Sequence, residues 1–447
     1  MVLALNNNKI LFYKVAANLL IIPVLFLPLT TYSSNFTASL FYESEYSDNI
    51  DKAPSNAPKD FLSTIGTDIG FDHQSSLYQF QTNYNFSYLD YLYDSSDDEF
   101  QWSGDLFGSF EIIEDMLSWE IDHTQRYLVT NRREADSPTN RERISTLSTG
   151  PVLNLVLNPT GADALIFNNR YTKTSFGDTE QADSERQTFT VAWRHLVNRL
   201  TSFSLNAEYT AVTFDTGDND YGQYRYSADV DRMLKQGNLT FGIGLNTVKP
   251  EKDDQANDQE DSSPFINAAV KNTWGRHSLN FSLGRKLTDN SSVQSEEDAD
   301  SDFLESPQRD AFIQDIIDRQ NATIAYGYAF DVDSLSLSLS WYDEDYRVEP
   351  ADQTSVSSSA VYTMPISRRS VLTFSTSAER VDFKDDESVD KETTYDIGAG
   401  YTYVYPLTSE LDLTLAANYK RRFSYGSPLP RYYEETSGAL SLRYTLW

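Results

Sequence analysis

No cysteine occurs among the 447 residues, and methionine and histidine appear only four times each. Without thiols there is no disulfide scaffold, no thiolate metal site and no lipid-modified N-terminal cysteine. Basic residues are also few: 36 Lys and Arg stand against 67 Asp and Glu, for a net charge of −31. Binding to a phosphate backbone needs clustered Lys and Arg, which argues against nucleic acid as a partner. No apolar run after residue 29 is long enough to cross a bilayer as a helix. Any residence in a membrane must therefore come through strands.

The N-terminus carries Lys9 and Lys14, then an apolar run over residues 15–29 interrupted by Pro23 and Pro28. Thr30, Thr31, Ser33 and Ser34 follow. The run falls short of the roughly 20 residues a spanning helix requires. Positive flank, apolar run and small polar residues together read as a secretory signal peptide over 1–33, leaving 34–447 as the exported chain.

Aromatic residues are plentiful, with 29 Tyr and 25 Phe, and they keep a two-residue beat. Tyr78, Phe80, Thr82, Tyr84, Phe86 and Tyr88 alternate with Gln79, Gln81, Asn83, Asn85 and Ser87. Strand side chains point to opposite faces with period 2, so one face is aromatic and the other is amide and hydroxyl. About twenty such segments run from 36–46 to 436–447, many twice the usual strand length. Their connections alternate between tight turns and longer acidic loops. This pattern predicts an all-β fold: a transmembrane antiparallel up-and-down barrel of about 20 strands, within a range of 16–22, greasy outside and polar inside. An even strand count and that loop polarity put both termini on the periplasmic side of a bacterial outer membrane. Trp119, Trp193, Trp274 and Trp447 fall near the periplasmic ends and Trp102 and Trp341 near the outer ends, where aromatic girdles belong. A β-propeller fits poorly, because a blade needs four strands in the 40-residue period that here holds two long ones.

Four short blocks carry a family resemblance: Ser47-Asp48-Asn49-Ile50, the run from Phe110 through Glu111, Ile112, Ile113, Glu114, Asp115 and Met116 to Leu117, the run Arg143-Ile144-Ser145-Thr146-Leu147-Ser148, and the turn Asn158-Pro159-Thr160-Gly161. They resemble the PEP-CTERM-system-associated outer-membrane β-barrel family. That resemblance implies a porin-like barrel linked to exopolysaccharide and protein-sorting functions, with no catalytic residues to carry over. The C-terminus departs from the usual insertion signal. Trp447 is terminal, yet the apolar stripe of Leu440, Leu442, Tyr444 and Leu446 is out of phase with it. The barrel-insertion machinery is still an expected partner.

Enzymatic chemistry finds little support. His73 and His277 read as turn residues, and His123 and His195 lie on the lipid phase of their strands near Trp119 and Trp193. None sits beside a nucleophile and an orienting group, as a triad needs. The expectation is a protein that is not an enzyme and carries neither cofactor nor metal. Asp218, Asp220 and Gly222 only loosely resemble a calcium loop, lacking the distal Glu. The acidic runs at 94–99, 251–261, 296–305 and 384–392 read as solvated loops, or as ligands for divalent cations bridging to lipopolysaccharide.

The polar phase of the strands supplies the interior candidates. Glu43, Glu45, Gln79, Gln81 and Asn83 come first, then Glu120, Asp122, Arg126, Arg170, Arg194 and Glu208. Lys286, Glu379, Asp396, Lys420 and Arg422 complete the set. Charges of both signs on a barrel wall need water or each other. Two readings stay open: passage of a hydrophilic solute or saccharide, or a barrel closed by interlocking salt bridges that displays acidic loops. Phe312, Ile313, Ile316 and Ile317 share one helical face, which predicts a short helix over 310–319 folding inward to narrow the pore. An early start to the following strand is the competing expectation.

Overall fold

The computed structural model describes residues 34–446, apart from 56, 130–136, 138–139, 159, 178–182, 216–219, 251–260, 290–315, 348–351, 385–391 and 426–431. Its first ten strands are β1 (Ser34–Ser47), β2 (Asp60–Gln74), β3 (Tyr78–Tyr91), β4 (Glu99–Ile113), β5 (Leu117–Val129), β6 (Arg141–Val156), β7 (Asp163–Phe176), β8 (Ser184–Asn198), β9 (Thr201–Phe214) and β10 (Tyr221–Leu234). The next five are β11 (Gly237–Pro250), β12 (Asp261–Trp274), β13 (His277–Asp289), β14 (Ile316–Ala329) and β15 (Ser334–Tyr346). The last five are β16 (Gln353–Pro365), β17 (Val371–Phe383), β18 (Glu392–Pro406), β19 (Leu411–Tyr425) and β20 (Tyr433–Thr445). No α-helix occurs among the described residues.

Each strand pairs antiparallel with the next, and β1 pairs with β20 from Ser39↔Thr445 to Ser47↔Ser437. The sheet therefore closes on itself as a 20-stranded barrel with no free edge. The two-residue beat sets which side chains face out. Leu205, Tyr226, Phe241, Ile243, Leu245 and Ile324 all stand exposed on the outer surface. Their sequence neighbours Asn206, Arg225 and Thr323 line an interior cavity. Trp119, Trp193 and Trp274 lie near the short-turn rim, and Trp102 and Trp341 near the other.

Tight turns gather at one rim. Gly275 adopts φ 59° in the two-residue link from β12 to β13, and Gly161 adopts φ 69° between β6 and β7, a left-handed conformation that glycine enters without a Cβ clash. The start of β1 and the end of β20 share that rim. Ser34 pairs with His73 beside the β2–β3 turn, and the Thr445 amide donates to Glu410 O in the β18–β19 turn.

Two expectations are corrected. Residues Ile316–Arg319, expected either to close a helix or to start the following strand early, do the latter: they form the first part of β14 and pair with Asp289–Lys286. Ladder bonds on both sides outweigh the helical spacing of the apolar residues, and β-branched Ile suits a strand. Phe312 and Ile313 lie outside the described residues. His73 and His277 are strand residues, not turn residues.

Candidate functional site: the inner wall and its inward layer

Phase and register put Glu43, Glu45, Gln79, Gln81, Asn83, Glu120, Asp122, Arg126, Arg170 and Arg194 on the inner face. Glu208, Lys286, Glu379, Asp396, Lys420 and Arg422 share it. Many of these charges are joined across strands. Arg170 bonds Asp122 and stands 3.9 Å from Glu120. Arg225 reaches Glu208 at 2.8 Å. Arg422 grips Asp396 through two bonds of 2.7 Å, and Glu379 sits opposite Asp396 in register. Lys420 sits opposite Glu435. Bidentate pairs of this kind fix geometry as well as charge.

Aromatic rings brace several inner arginines. Arg443 lies 5.3 Å over Phe41, Arg225 5.2 Å over Phe265, Arg319 5.0 Å over Tyr342 and Arg422 6.0 Å over Tyr433. The Phe41 ring lies where a Cβ on Gly66 would project, so glycine there lets the ring lie against the wall. Arg225, Asp229, Arg319, Glu344 and Arg443 were not singled out in the sequence. The phase rule would have found them, as the run Tyr224-Arg225-Tyr226 illustrates.

A feature beyond the alternation lies at the long-loop ends of β13 and β14. Pairing between β11 and β12 runs up to Val248↔Asp261, but that between β12 and β13 stops at Ile266↔Arg285. Past that point β13 leaves the wall and lies against its inner face. Gln223 and Asn246, on the inner faces of β10 and β11, both donate to Leu287 O at 2.8 and 2.9 Å. Leu287 packs with Val212, Phe214, Tyr221 and Val248 in a buried apolar cluster, joined by Ile316. Asp318 belongs by phase to the outer side of β14, yet it accepts from Ser263 on the inner side of β12 at 2.9 Å. Arg285 holds the same carboxylate at 2.8 Å. The outward side of β13 and β14 is thus pressed onto the inward side of β10–β12, forming a second layer inside the barrel. Ile317, on the opposite side of β14, is fully buried.

The long-loop rim is tied down by polar side chains. Asp60 accepts from the Phe61, Tyr93 and Ser95 amides at 2.7, 2.9 and 3.1 Å. Lys384 reaches Asp343 at 3.0 Å and Asp345 at 3.6 Å. Burial works against its ammonium, but the bond to Asp343 and the charges of Asp343, Asp345 and Asp352 outweigh that and hold its pKa above the ordinary lysine value.

The histidines sit in aromatic stacks on the outer face. His277 stacks on Trp274 at 5.6 Å and meets the Tyr326 hydroxyl at 2.7 Å. His123 stacks on Trp102 at 6.0 Å and meets the Tyr84 hydroxyl at 2.6 Å. His195 meets Asp163 at 2.8 Å. Among the described residues no group of three or more His, Asp or Glu is arranged to hold a metal ion.

No family model and no curated protein matches the chain. Solved structures similar to it include the siderophore receptor PirA of Pseudomonas aeruginosa, at 10% identity and a TM-score of 0.45, covering 94% of this chain and 81% of that one. OccK5 of Pseudomonas aeruginosa matches at 10% identity and 0.40, covering 92% and 99%. OccAB3 of Acinetobacter baumannii matches at 10% and 0.42, covering 92% and 99%. All three fall below a TM-score of 0.5, too distant to bear on what this chain does.

Proposed function

We propose that this protein is a porin-like barrel of a bacterial outer membrane that passes a hydrophilic solute or saccharide. The observation that carries the reading is the opposition of the two faces. Aliphatic and aromatic side chains stand exposed outside, where they suit lipid, while paired charges, amides and hydroxyls line the inside, where they suit water. Export would use the signal peptide over 1–33, and the rim of short turns, where β1 starts and β20 ends, would face the periplasm. The acidic loops would meet lipopolysaccharide outside, bridged by divalent cations. A link to exopolysaccharide and PEP-CTERM surface systems rests on the four short sequence motifs.

The inner layer at β13–β14 favours a second reading, a barrel closed to transport that displays its loops. Reconstitution of the full chain in a planar bilayer separates the two. Stepwise ohmic channels are the expected result, and a silent but folded barrel would overturn the transport reading.

A further inference from the structure

We infer that the cavity below the inner layer is a built site for a neutral, polyhydroxylated solute, a sugar of one to a few rings. This rests on the proposal that the barrel interior is open to water, and it adds where and how a solute is held. The cavity measures about 730 Å³, within the range of small-molecule sites, and lies midway along the strands between β8 and β15.

Its charges cancel locally. Arg225 pairs with Glu208 at 2.8 Å, Arg285 with Asp318 at 2.8 Å and Arg319 with Glu344 at 3.6 Å. The remaining charged residues, Lys286 and Asp229, are again one of each sign, and Asp229 is further satisfied by Asn206 and by Ser227 at 2.8 Å. No field of one sign is left to select an anion or a cation, despite the net charge of −31 on the whole chain.

Against that satisfied frame, one set of polar groups is uncommitted. The side-chain amides of Asn267, Asn280 and Asn321 line the cavity and make no hydrogen bond among the described residues. Register arranges them. Asn267, Gly284 and Asn321 form one row across β12, β13 and β14, and Ala269, Ser282 and Thr323 form the next. Gly284 makes room for one of these amides, for the Asn321 amide oxygen lies where a Cβ at 284 would project. An amide offers donors and an acceptor side by side, which matches a hydroxyl that is itself both. A cavity bordered by amides and small residues and walled by Phe265 and Tyr342 suits a sugar ring better than an ion or an apolar molecule.

The test uses the refolded full chain in detergent, titrated calorimetrically with sucrose, and with gluconate and glucosamine as charged probes. Saturable sucrose binding that exceeds both charged probes is expected. Asn267→Leu and Gly284→Val should each weaken it by about tenfold or more, and Asn280→Ala provides a milder variant of the same site. Folding of each variant is verified by the heat-dependent gel shift of the barrel. Absence of sucrose binding, binding indifferent to all three substitutions, or preference for a charged probe would overturn the site. Bilayer recordings on the same samples keep the two proposals apart. Channels that open without binding sugar sink the site and leave transport standing, whereas sugar binding by a silent barrel supports the site and sinks transport.

Discussion

The side-chain amide of Asn49 donates to the backbone carbonyl of Glu434 at 2.9 Å, joining positions 385 residues apart. Asn49 is buried at 3% exposure, and it also donates to Ala53 O at 3.0 Å and accepts from the Ala53 amide at 2.8 Å. Its neighbours work on the same seam. Ser47 Oγ donates to Glu435 at 2.8 Å, and Asp48 accepts from the Thr436 amide at 2.7 Å. The Ser47-Asp48-Asn49 block is thus a clasp between the first and last strands at the long-loop rim. Asn49→Ala would strand buried backbone groups, at a cost of about 1–3 kcal/mol. A lower temperature for loss of the compact band on gels is the expected result, with Asn49→Asp intermediate because it keeps the acceptor. An alanine variant as heat-resistant as the parent would show that the seam does not depend on this clasp.

Adjacent residues on β9 test the two faces. Leu205 stands 45% exposed on the outer surface, while Ser204 faces Asp229 and Arg194 inside. In a bilayer, Leu205→Arg should destabilise the barrel, though by less than the roughly 2–4 kcal/mol a cation costs at the lipid midplane, because Leu205 pairs with Trp193 toward the short-turn rim. Ser204→Arg should cost far less. Urea titration of the two variants in liposomes gives the comparison, and equal losses would contradict a lipid-facing exterior.

The barrel was legible in the sequence because its information is local. Each strand states its own two faces, and Gln79, Asn83 or Arg170 can be assigned without knowing any partner. The inner layer was illegible for the same reason. Leu287 and Asp318 keep the outward phase of their strands, and only the parting of β13 from β12 after Arg285 turns that outward side onto the inner wall. The helical spacing of Ile313, Ile316 and Ile317 misled because sheet ladders, which are non-local, decide the conformation of Ile316–Arg319. The uncommitted amides of the cavity were equally hidden, since lack of a partner is a property of the assembled wall.

Charge pairing on the inner wall makes a prediction about ion selectivity. Arg422 is held between Asp396 and the Tyr433 ring, with Glu379 beside Asp396 in register. Arg422→Gln removes the cation and leaves two carboxylates together, which should cost about 1.5–3 kcal/mol and favour cations in transit. Reversal potentials in a KCl gradient should move toward cation selectivity. Adding Asp396→Asn should return both selectivity and stability most of the way, and a double variant no better than the single would show that the pair does not act as a unit.

The inner layer hangs on a small number of bonds, so it can be loosened without touching the wall. Gln223 and Asn246 together hold Leu287 O, and Gln223 also donates to Asn246 Oδ1 at 2.9 Å. Replacing both with alanine removes those donors, while the ladders from β9 to β12 run through backbone atoms and stay intact. If the layer narrows the path, single-channel conductance should rise and current noise should increase as the ends of β13 and β14 leave the inner face. Leu287→Ala, which empties the centre of the apolar cluster, should act in the same direction. Conductance identical to the parent in both variants would mean that solute passes clear of this layer, along the wall formed by the remaining strands.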